Sequence, residues 1–331
     1  MILAIGLALS ILAAVIPTVL YAMLVWWCDR FEREPWPLLT VTFLWGALPA
    51  VIFALLAELV LDIPLSVLGS SVAYELISSG GVAPIVEELV KAAALLGLFL
   101  LVRSEFDGVL DGIIYGALVG FGFAMTENFL YFMAALQEEG WSTWATVIFL
   151  RTVIFGFNHA FFTSLTGIGL GIARMARDRW LRWIAPLLGL GSAIFFHAIH
   201  NVGASLADVA CLTLGISTLT DWGGVWVIVV IILLSWEQER RILREFLADE
   251  AIPTEVRQAV TYARLWQRVP VAAQVAGRAH PAIWREYHQL LAELALRKYR
   301  LARLGEEPEL RQEIDQIRER LQALQRQMHS P

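Results

Sequence analysis

The sequence predicts an all-α protein, in which a polytopic bundle of membrane-spanning helices is followed by a soluble helical tail. Of its 331 residues, 58% are hydrophobic and the mean hydropathy is +0.63, whereas soluble domains are about half apolar. Residues 1–236 consist of long apolar runs, while residues 237–331 contain 16 Lys/Arg and 14 Asp/Glu in helical patterns. We therefore expect a membrane domain over 1–236 and a separate helical domain over 237–331.

The apolar runs that can cross a bilayer core of about 30 Å number about seven. They fall near residues 2–27, 37–61, 83–102, 109–136, 146–173, 183–207 and 217–236. The last run is the weakest, because Asp221 and two glycines interrupt its start. Segment 63–77 is shorter and leads into SSGG at 78–81, so we interpret it as an interfacial or re-entrant piece.

The loops between the predicted spans differ in charge. Arginines follow the first, third and fifth spans, and the tail begins EQERRILRE. The alternate loops, 62–82, 137–145 and 208–216, contain no Lys or Arg. Because positive residues mark the cytoplasmic side, we expect the N-terminus outside and the tail in the cytoplasm.

The tail from Glu237 onward is predicted to be helical. Its last helix has an apolar seam with steps of four and three: Leu310, Ile314, Ile317, Leu321 and Leu324. About two heptads are too few to specify a stable dimer, so we expect a hairpin with helix 282–303. A protein partner or self-association through these helices is the alternative. No basic patch is interleaved with aromatics, so we expect no nucleic-acid binding.

The predicted spans contain many polar and ionisable residues. They are Glu87, Glu88, Lys91, Asp111, Glu127, Asn128, Arg151, Asn158, His159, His197, His200 and Asn201. At 1.5 Å per residue, Glu87 lies about 24 Å above the cytoplasmic end of its span, and His159 and His197 about 22 Å. Glu127 lies about 27 Å up, whereas Asp111 is closer to the inner interface. Since ionised groups are costly in hydrocarbon, this common layer indicates a functional site.

Helical spacing orients some of these groups. Glu87 and Lys91 are four residues apart, so they share a face and can form a charge pair. Glu88 points roughly 100° away, so only one of the two glutamates can aim at a given point. His197 and Asn201 are also four residues apart and share a face.

Carboxylate, imidazole and carboxamide groups in one partly dry layer suit amide hydrolysis. A glutamate can take a proton from water and later pass it to the leaving amine. Imidazole and carboxamide can hold a metal or stabilise an oxyanion. No GxSxG motif lies at this depth and Cys211 lies outside it, so activated water is favoured over a side-chain nucleophile. The HExxH pattern is also absent, so a zinc site would need ligands from several helices. The alternative is a proton-coupled transporter or channel that uses the same layer, although we find no internal repeat of the kind transporters often have.

Four motifs together resemble a known family. They are EExxK at 87–91, GFxxxENxxY at 122–131, NHAFF around His159, and HAIHN at 197–201. In order and spacing they resemble the PrsW family of intramembrane proteases. That family is related to the CAAX prenyl endopeptidase and bacteriocin-immunity group, whose motifs are EExxxR, FxxxH and HxxxN. Lys91 lies one residue earlier than the arginine of the prenyl-protease motif, which favours a PrsW-like protein. The resemblance covers roughly residues 80–205.

The resemblance implies a multi-span protease of the bacterial cytoplasmic membrane. Its substrate would be a membrane-anchored protein cut near the outer face, as in site-1 cleavage of anti-sigma factors. Either Glu87 or Glu88 would activate water. The expected catalytic residues are Glu87, Glu88, His159, His197 and Asn201, and the expected supporting residues are Lys91, Glu127, Asn128, Asn158 and His200.

The resemblance also bears on a cofactor, because members are usually described as metalloproteases. A zinc ion would need ligands from several helices. The expected ligands are His159, His197, Glu88 and Glu127. A metal-free glutamate–histidine mechanism would use the same residues and stays open.

Overall fold

The computed structural model describes residues 2–29, 31, 33–65, 72–207, 211–252, 254–262, 281–305 and 308–329. Over these residues the chain is helical and has no strand, which confirms the all-α membrane bundle. The helices are α1 (Ile2–Cys28), α2 (Trp36–Leu65), α3 (Val72–Ile77), α4 (Ala83–Leu101), α5 (Val109–Glu138), α6 (Trp141–Phe149), α7 (Asn158–Met175), α8 (Arg179–Ser205), α9 (Cys211–Phe246), α10 (Thr254–Tyr262), α11 (Pro281–Leu304) and α12 (Pro308–His329).

Within the described ranges, six helical stretches are long and apolar enough to cross a membrane. They are Leu3–Cys28, Trp36–Leu65, Val109–Glu138, Trp141–Met175, Arg179–Ser205 and Leu212–Phe246. The predicted third span is helix α4, which has 19 residues and carries three charged side chains. Apolar side chains such as Leu59 and Leu187 are 66% and 67% exposed, as lipid-facing residues are. The number of crossings and the orientation stay predictions.

Short π-helical turns precede two parts of the polar layer. Segment Ser78–Val82 leads directly into α4, where Pro84 occupies the first turn, a position that needs no backbone N–H. Segment Leu150–Ile154 is followed by a break at 155–157, after which α7 begins. Such wide turns are often found at functional sites. Of the predicted interfacial segment 63–77, residues 66–71 lie outside the described residues, and the rest ends α2 and forms α3.

Helix α5 is buried along most of its length and packs against α1 and α2. Its glycines allow α7 to approach closely. A methyl group on Gly120 would collide with the carbonyl oxygen of His159, and one on Gly112 would collide with the backbone of Gly167. Glu127 lies seven residues after Gly120, about two turns along the same face. The contact between α5 and α7 therefore sets His159 beside Glu127.

Contacts divide the chain into two compact units. One consists of residues 1–28, 34–174 and 178–230, and the other of residues 29–33, 175–177 and 231–331. In the second unit α11 packs against α12, as the hairpin interpretation expects. The predicted seam is buried in the core of that unit: Leu310, Ile314, Ile317, Leu321 and Leu324.

Candidate active site

Glu87, Glu88 and Lys91 form a buried ion cluster on α4. Their exposed fractions are 5%, 0% and 0%. The Lys91 Nζ atom lies 3.0 Å from Oε2 of Glu87 and 2.9 Å from Oε1 of Glu88. It also lies 3.8 Å above the centre of the Phe123 ring. Spacing predicts the pair with Glu87, and the structure shows that one ammonium group bridges both carboxylates, so one negative charge is left over.

Glu88 accepts three hydrogen bonds. Besides the bond from Lys91, it accepts one from Oγ1 of Thr163 at 3.1 Å and faces Nδ1 of His197 at 3.0 Å. Because a carboxylate only accepts, His197 donates through Nδ1–H and keeps a lone pair on Nε2. That Nε2 atom lies 3.8 Å from Oε2 of Glu87. Glu88 thus orients an imidazole whose free nitrogen faces Glu87.

His159 has a similar arrangement on α7. Its Nε2 atom lies 2.9 Å from Oε2 of Glu127, so Nε2 carries the proton and Nδ1 carries the lone pair. Nδ1 lies 3.2 Å from the Lys91 ammonium group. Both histidines are therefore held by a carboxylate at one nitrogen and present the other to the cluster. Metal-binding histidines are usually oriented in this way.

Arg151, from the π turn before α7, fixes Glu127. Its Nη2 atom donates to Oε2 of Glu127 at 2.5 Å, and its Nε atom donates to Oδ1 of Asn128 at 2.7 Å. The guanidinium group also lies 3.9 Å from the centre of the Tyr131 ring. Asn128 therefore positions Arg151, and Arg151 in turn positions Glu127, the carboxylate that contacts His159.

A metal ion would find suitable donors here. Ligand atoms of Glu87, His159 and His197 all lie within 4.8 Å of one another, and all three residues are buried. Two imidazoles and one carboxylate, with a fourth position open, are the donor set of many catalytic zinc sites. The sequence-based ligand set has Glu88 and Glu127 where the structure has Glu87. Those two carboxylates contact the outward nitrogens of the histidines instead.

The charges around the cluster also fit a cation. Glu58 on α2 has a buried Oε1 atom without a hydrogen-bond partner, and its charge interacts with those of Glu127 and Lys91. The carboxylates of this region are Glu58, Glu87, Glu88 and Glu127. The cations near them in the described part of the chain are Lys91 and Arg151. A buried carboxylate without a counter-charge is costly, and either protonation or a bound cation would remove that cost.

The other predicted residues lie beside the cluster. The Asn201 side chain donates from Nδ2 to the backbone oxygen of Ser79 at 2.8 Å, inside the π turn that precedes α4. It therefore contacts the backbone that leads into the glutamate helix. His200 faces Asn158 and Asp221 instead of the glutamates.

Two carboxylates near the cluster are not among the predicted site residues. Glu58 lies in the second predicted span, and Asp221 interrupts the start of the last one. Each is an acidic residue inside an apolar run, which is the signal that identified Glu87. Asp221 is 3% exposed and lies 2.6 Å from Nδ1 of His200.

Buried carboxylates and imidazoles from several apolar helices come together in this protein. This arrangement places it in the class of polytopic membrane proteins with a buried cluster of acidic and basic side chains. Comparison with known proteins then gives the family. Residues 34–236 match the family described as "PrsW family intramembrane metalloprotease". The chain belongs to this family of intramembrane proteases, and the motif resemblance is confirmed.

Individual relatives agree with this assignment. The chain is 29% identical over 175 residues to "Protease PrsW" of Geobacillus kaustophilus (strain HTA426), covering 52% of this chain and 69% of the relative. It is 38% identical over 120 residues to "Protease PrsW" of Clostridioides difficile (strain 630), covering 36% and 49%. For "Protease PrsW" of Bacillus subtilis (strain 168) the values are 29% over 168 residues, 50% and 70%. No solved structure matches this chain.

Proposed function

We propose that this protein is an intramembrane endopeptidase in which Glu87 activates the water that attacks a peptide bond. The observation that carries the proposal is the state of the two glutamates. Glu88 accepts from Lys91, Thr163 and His197. Among the described residues Glu87 has one hydrogen bond, from Lys91, and faces an imidazole nitrogen of His197 3.8 Å away. Glu87 therefore has the spare acceptor capacity that a general base needs.

The reaction adds water across the peptide C–N bond. Glu87 takes one proton from the attacking water, whose oxygen bonds to the carbonyl carbon, and then passes the proton to the leaving amine as the C–N bond breaks. Nε2 of His197 faces the same space and can orient the water or the carbonyl group, while Nδ1 of His159 accepts from Lys91 on the other side of the cluster. Lys91 holds Glu87 in place and lowers the cost of burying it.

The same three residues, Glu87, His159 and His197, would hold a zinc ion. When bound, zinc supplies a Lewis acid that polarises the carbonyl oxygen and makes water easier to deprotonate. A carboxylate has two oxygens, so a bond from one to a cation leaves the other to accept a proton. Glu88 and Glu127 would then fix the histidine tautomers from outside, as they do in the structure.

The substrate class follows from the family and from the position of the site. We propose a membrane-anchored protein, of the anti-sigma-factor type, cut near the outer face of the bacterial cytoplasmic membrane. The loop arginines support this orientation, which leaves residues 237–331 in the cytoplasm. A site in the outer third of the bilayer is reached most easily by a peptide segment just outside the membrane.

Cleavage by the purified protein tests the proposal. Candidate single-span substrates would be incubated with wild type and with Glu87→Gln, His159→Ala and His197→Ala. We expect wild type to cut at one position and the three variants to lose nearly all turnover. Glu139→Gln, which changes an exposed carboxylate at the end of α5, should cut like wild type. Equal cleavage by all variants would show that this cluster is not the active site.

A further inference from the structure

A second buried polar group lies beside the active site, on α9. Asp221 places Oδ2 2.6 Å from Nδ1 of His200, a residue of α8. Both residues are buried, with 3% and 7% of their surfaces exposed. A carboxylate inside an apolar helix is energetically costly, so such residues usually have a function. In the described part of the chain, Asp221 makes no contact with Glu87 or Glu88.

His200 also forms a hydrogen bond with α7, through its other ring nitrogen. Its Nε2 atom lies 3.2 Å from Nδ2 of Asn158, and Oδ1 of Asn158 accepts the backbone N–H of His159 at 2.7 Å. The rings of Phe155 and Phe162 lie 4.8 and 6.1 Å from the His200 ring and confine it. Three hydrogen bonds thus connect Asp221 to the residue that bears one of the proposed active-site imidazoles.

The donor and acceptor of each hydrogen bond in this series are fixed by the groups at its two ends. The backbone N–H of His159 can only donate, so Asn158 must accept with its oxygen and donate with its nitrogen. His200 must then accept at Nε2 and carry its proton on Nδ1, which donates to Asp221. Every donor therefore meets an acceptor, and only one arrangement of the three side chains satisfies all three bonds.

Ser217 strengthens the same end of the chain. Its Oγ atom lies 3.2 Å from Nδ1 of His200 and 3.3 Å from the His200 carbonyl oxygen. Ser217 and Asp221 meet the same ring nitrogen, whereas a serine nucleophile and its aspartate bind opposite nitrogens of the histidine. The group is therefore a support for His200 and not a second hydrolytic triad.

We propose that Asp221, His200 and Asn158 are positioning residues that hold the start of α7, and with it His159, in the geometry needed for catalysis. The break at 155–157 separates α7 from the π turn before it, and Asn158 connects the start of α7 to His200 of α8. The inference rests on the proposed function. Helix α9 contributes no residue to the glutamate–histidine cluster. Through Asp221 it would instead fix the backbone of His159, and so the position of that imidazole.

The test compares Asp221→Leu with Asp221→Asn in full-length protein reconstituted into vesicles. The amide oxygen of asparagine can still accept from Nδ1 of His200, whereas leucine cannot. We expect Asp221→Leu to lower kcat about 10- to 100-fold, as loss of an outer hydrogen-bond partner typically does, with KM little changed. Asp221→Asn should recover most of kcat. Thr220→Val, one residue away with only local backbone contacts, should behave like wild type.

Side-chain 15N spectra of histidine-labelled protein give a readout that does not depend on activity. The His200 signal, assigned with His200→Gln, should show a strongly hydrogen-bonded Nδ1–H in wild type and Asp221→Asn. In Asp221→Leu that N–H should be more weakly bonded, because Ser217 is the acceptor that stays beside it. Wild-type kcat in folded Asp221→Leu would overturn the proposal, and so would equal loss in both Asp221 variants. If Asp221→Leu does not fold, Asn158→Leu breaks the chain at its other end and is judged by the same criteria. If wild type and Glu87→Gln both fail to cut, the proposed function fails, while the His200 nitrogen spectra still decide the hydrogen-bond chain.

Discussion

His197 donates from Nδ1 to Oε1 of Glu88 at 3.0 Å, and this bond turns its other nitrogen toward Glu87. The adjacent glutamates of EExxK therefore have different contacts. Glu88 bonds to the imidazole of His197, whereas Glu87 bonds to Lys91 and lies on the side that the other imidazole nitrogen faces. A pair of glutamates that share one lysine can differ in this way because residues 87 and 88 point about 100° apart on the helix.

The two glutamates should respond differently to amide substitution. Glu88→Gln weakens the orientation of His197 but leaves the base in place, so we expect a loss of about 10- to 100-fold in kcat/KM. If zinc is used, excess zinc should restore part of that loss. Glu87→Gln removes the proton acceptor, so zinc should not restore its activity. Cleavage rates over a zinc titration measure both effects, and the reverse order of severity would assign the base to Glu88.

Zinc should also stabilise the folded protein. A ligand that binds only the native state at 100 times its Kd contributes about 2.7 kcal/mol, so zinc should raise the unfolding midpoint of wild type in detergent. The double variant His159→Ala/His197→Ala should not respond, because it lacks two of the three ligands. Thermal unfolding with and without chelator measures the difference. Full activity after demonstrable metal removal would instead support a glutamate–histidine mechanism without metal.

Much of the fold and of the candidate layer could be predicted because both depend on one helix at a time. Long apolar runs are visible in the sequence, and a rise of 1.5 Å per residue is enough to place Glu87, His159 and His197 at one depth. The prediction of a common layer needed no knowledge of which helices touch. The glycine contact between α5 and α7 then accounts for the closeness of His159 and Glu127 in the structure.

The partners of these side chains could not be predicted in the same way. Helical spacing gives the face on which a residue lies but not the neighbouring helix that meets it. Asn201 shares a face with His197, yet it bonds to the carbonyl of Ser79 inside a π turn, and such turns shift the register without a clear sequence signal. The hydrogen bond between His200 and Asp221 also joins two spans. Helical spacing within either span does not predict it.

Glu58 offers a test of the charge balance around the site. Its carboxylate has a buried oxygen without a partner and interacts unfavourably with the charge of Glu127. We expect Glu58→Gln to raise the stability of the metal-free protein, because it removes a like charge, and to weaken zinc binding a few-fold for the same reason. Unfolding midpoints and zinc titrations of the two proteins measure these opposite changes. If the stability and the zinc affinity both rise or both fall, charge repulsion from Glu58 is not the cause.

The C-terminal unit should lose local stability in acid. Lys298 lowers the pKa of Asp249 by a hydrogen bond. Burial raises the pKa of Glu250, but hydrogen bonds from Arg318 and Lys298 outweigh it and leave that pKa below the ordinary 4.5. Carboxyls with a lowered folded-state pKa stabilise above their unfolded pKa, and this contribution is lost as pH falls through the folded value. Hydrogen exchange of α11, corrected for intrinsic rates, should therefore quicken between pH 6 and about pH 3.

Glu250→Gln should make that exchange less dependent on pH, because the titrating group is gone. Its α11 amides should already exchange faster than wild type at pH 6. Glu286→Gln is a suitable comparison, since Glu286 forms an exposed pair with Arg320 at 2.6 Å and such pairs contribute little. If Glu250→Gln keeps the wild-type pH dependence, Glu250 is not the group responsible.

Lys91 should be the most costly side chain of the cluster to remove. Its ammonium group lies about 3 Å from two fully buried carboxylates, so Lys91→Met leaves both without a counter-charge. Removing one partner of a buried ion pair typically costs about 3–5 kcal/mol, and we expect a loss of that size in unfolding free energy in detergent. Adding Glu88→Gln should return part of it, because one stranded charge is then gone. Arg320→Met removes the cation of a pair whose partner Glu286 is 43% exposed, and it should cost much less. If Lys91→Met and Arg320→Met are equally mild, the bridge seen between Glu87 and Glu88 does not stabilise the fold.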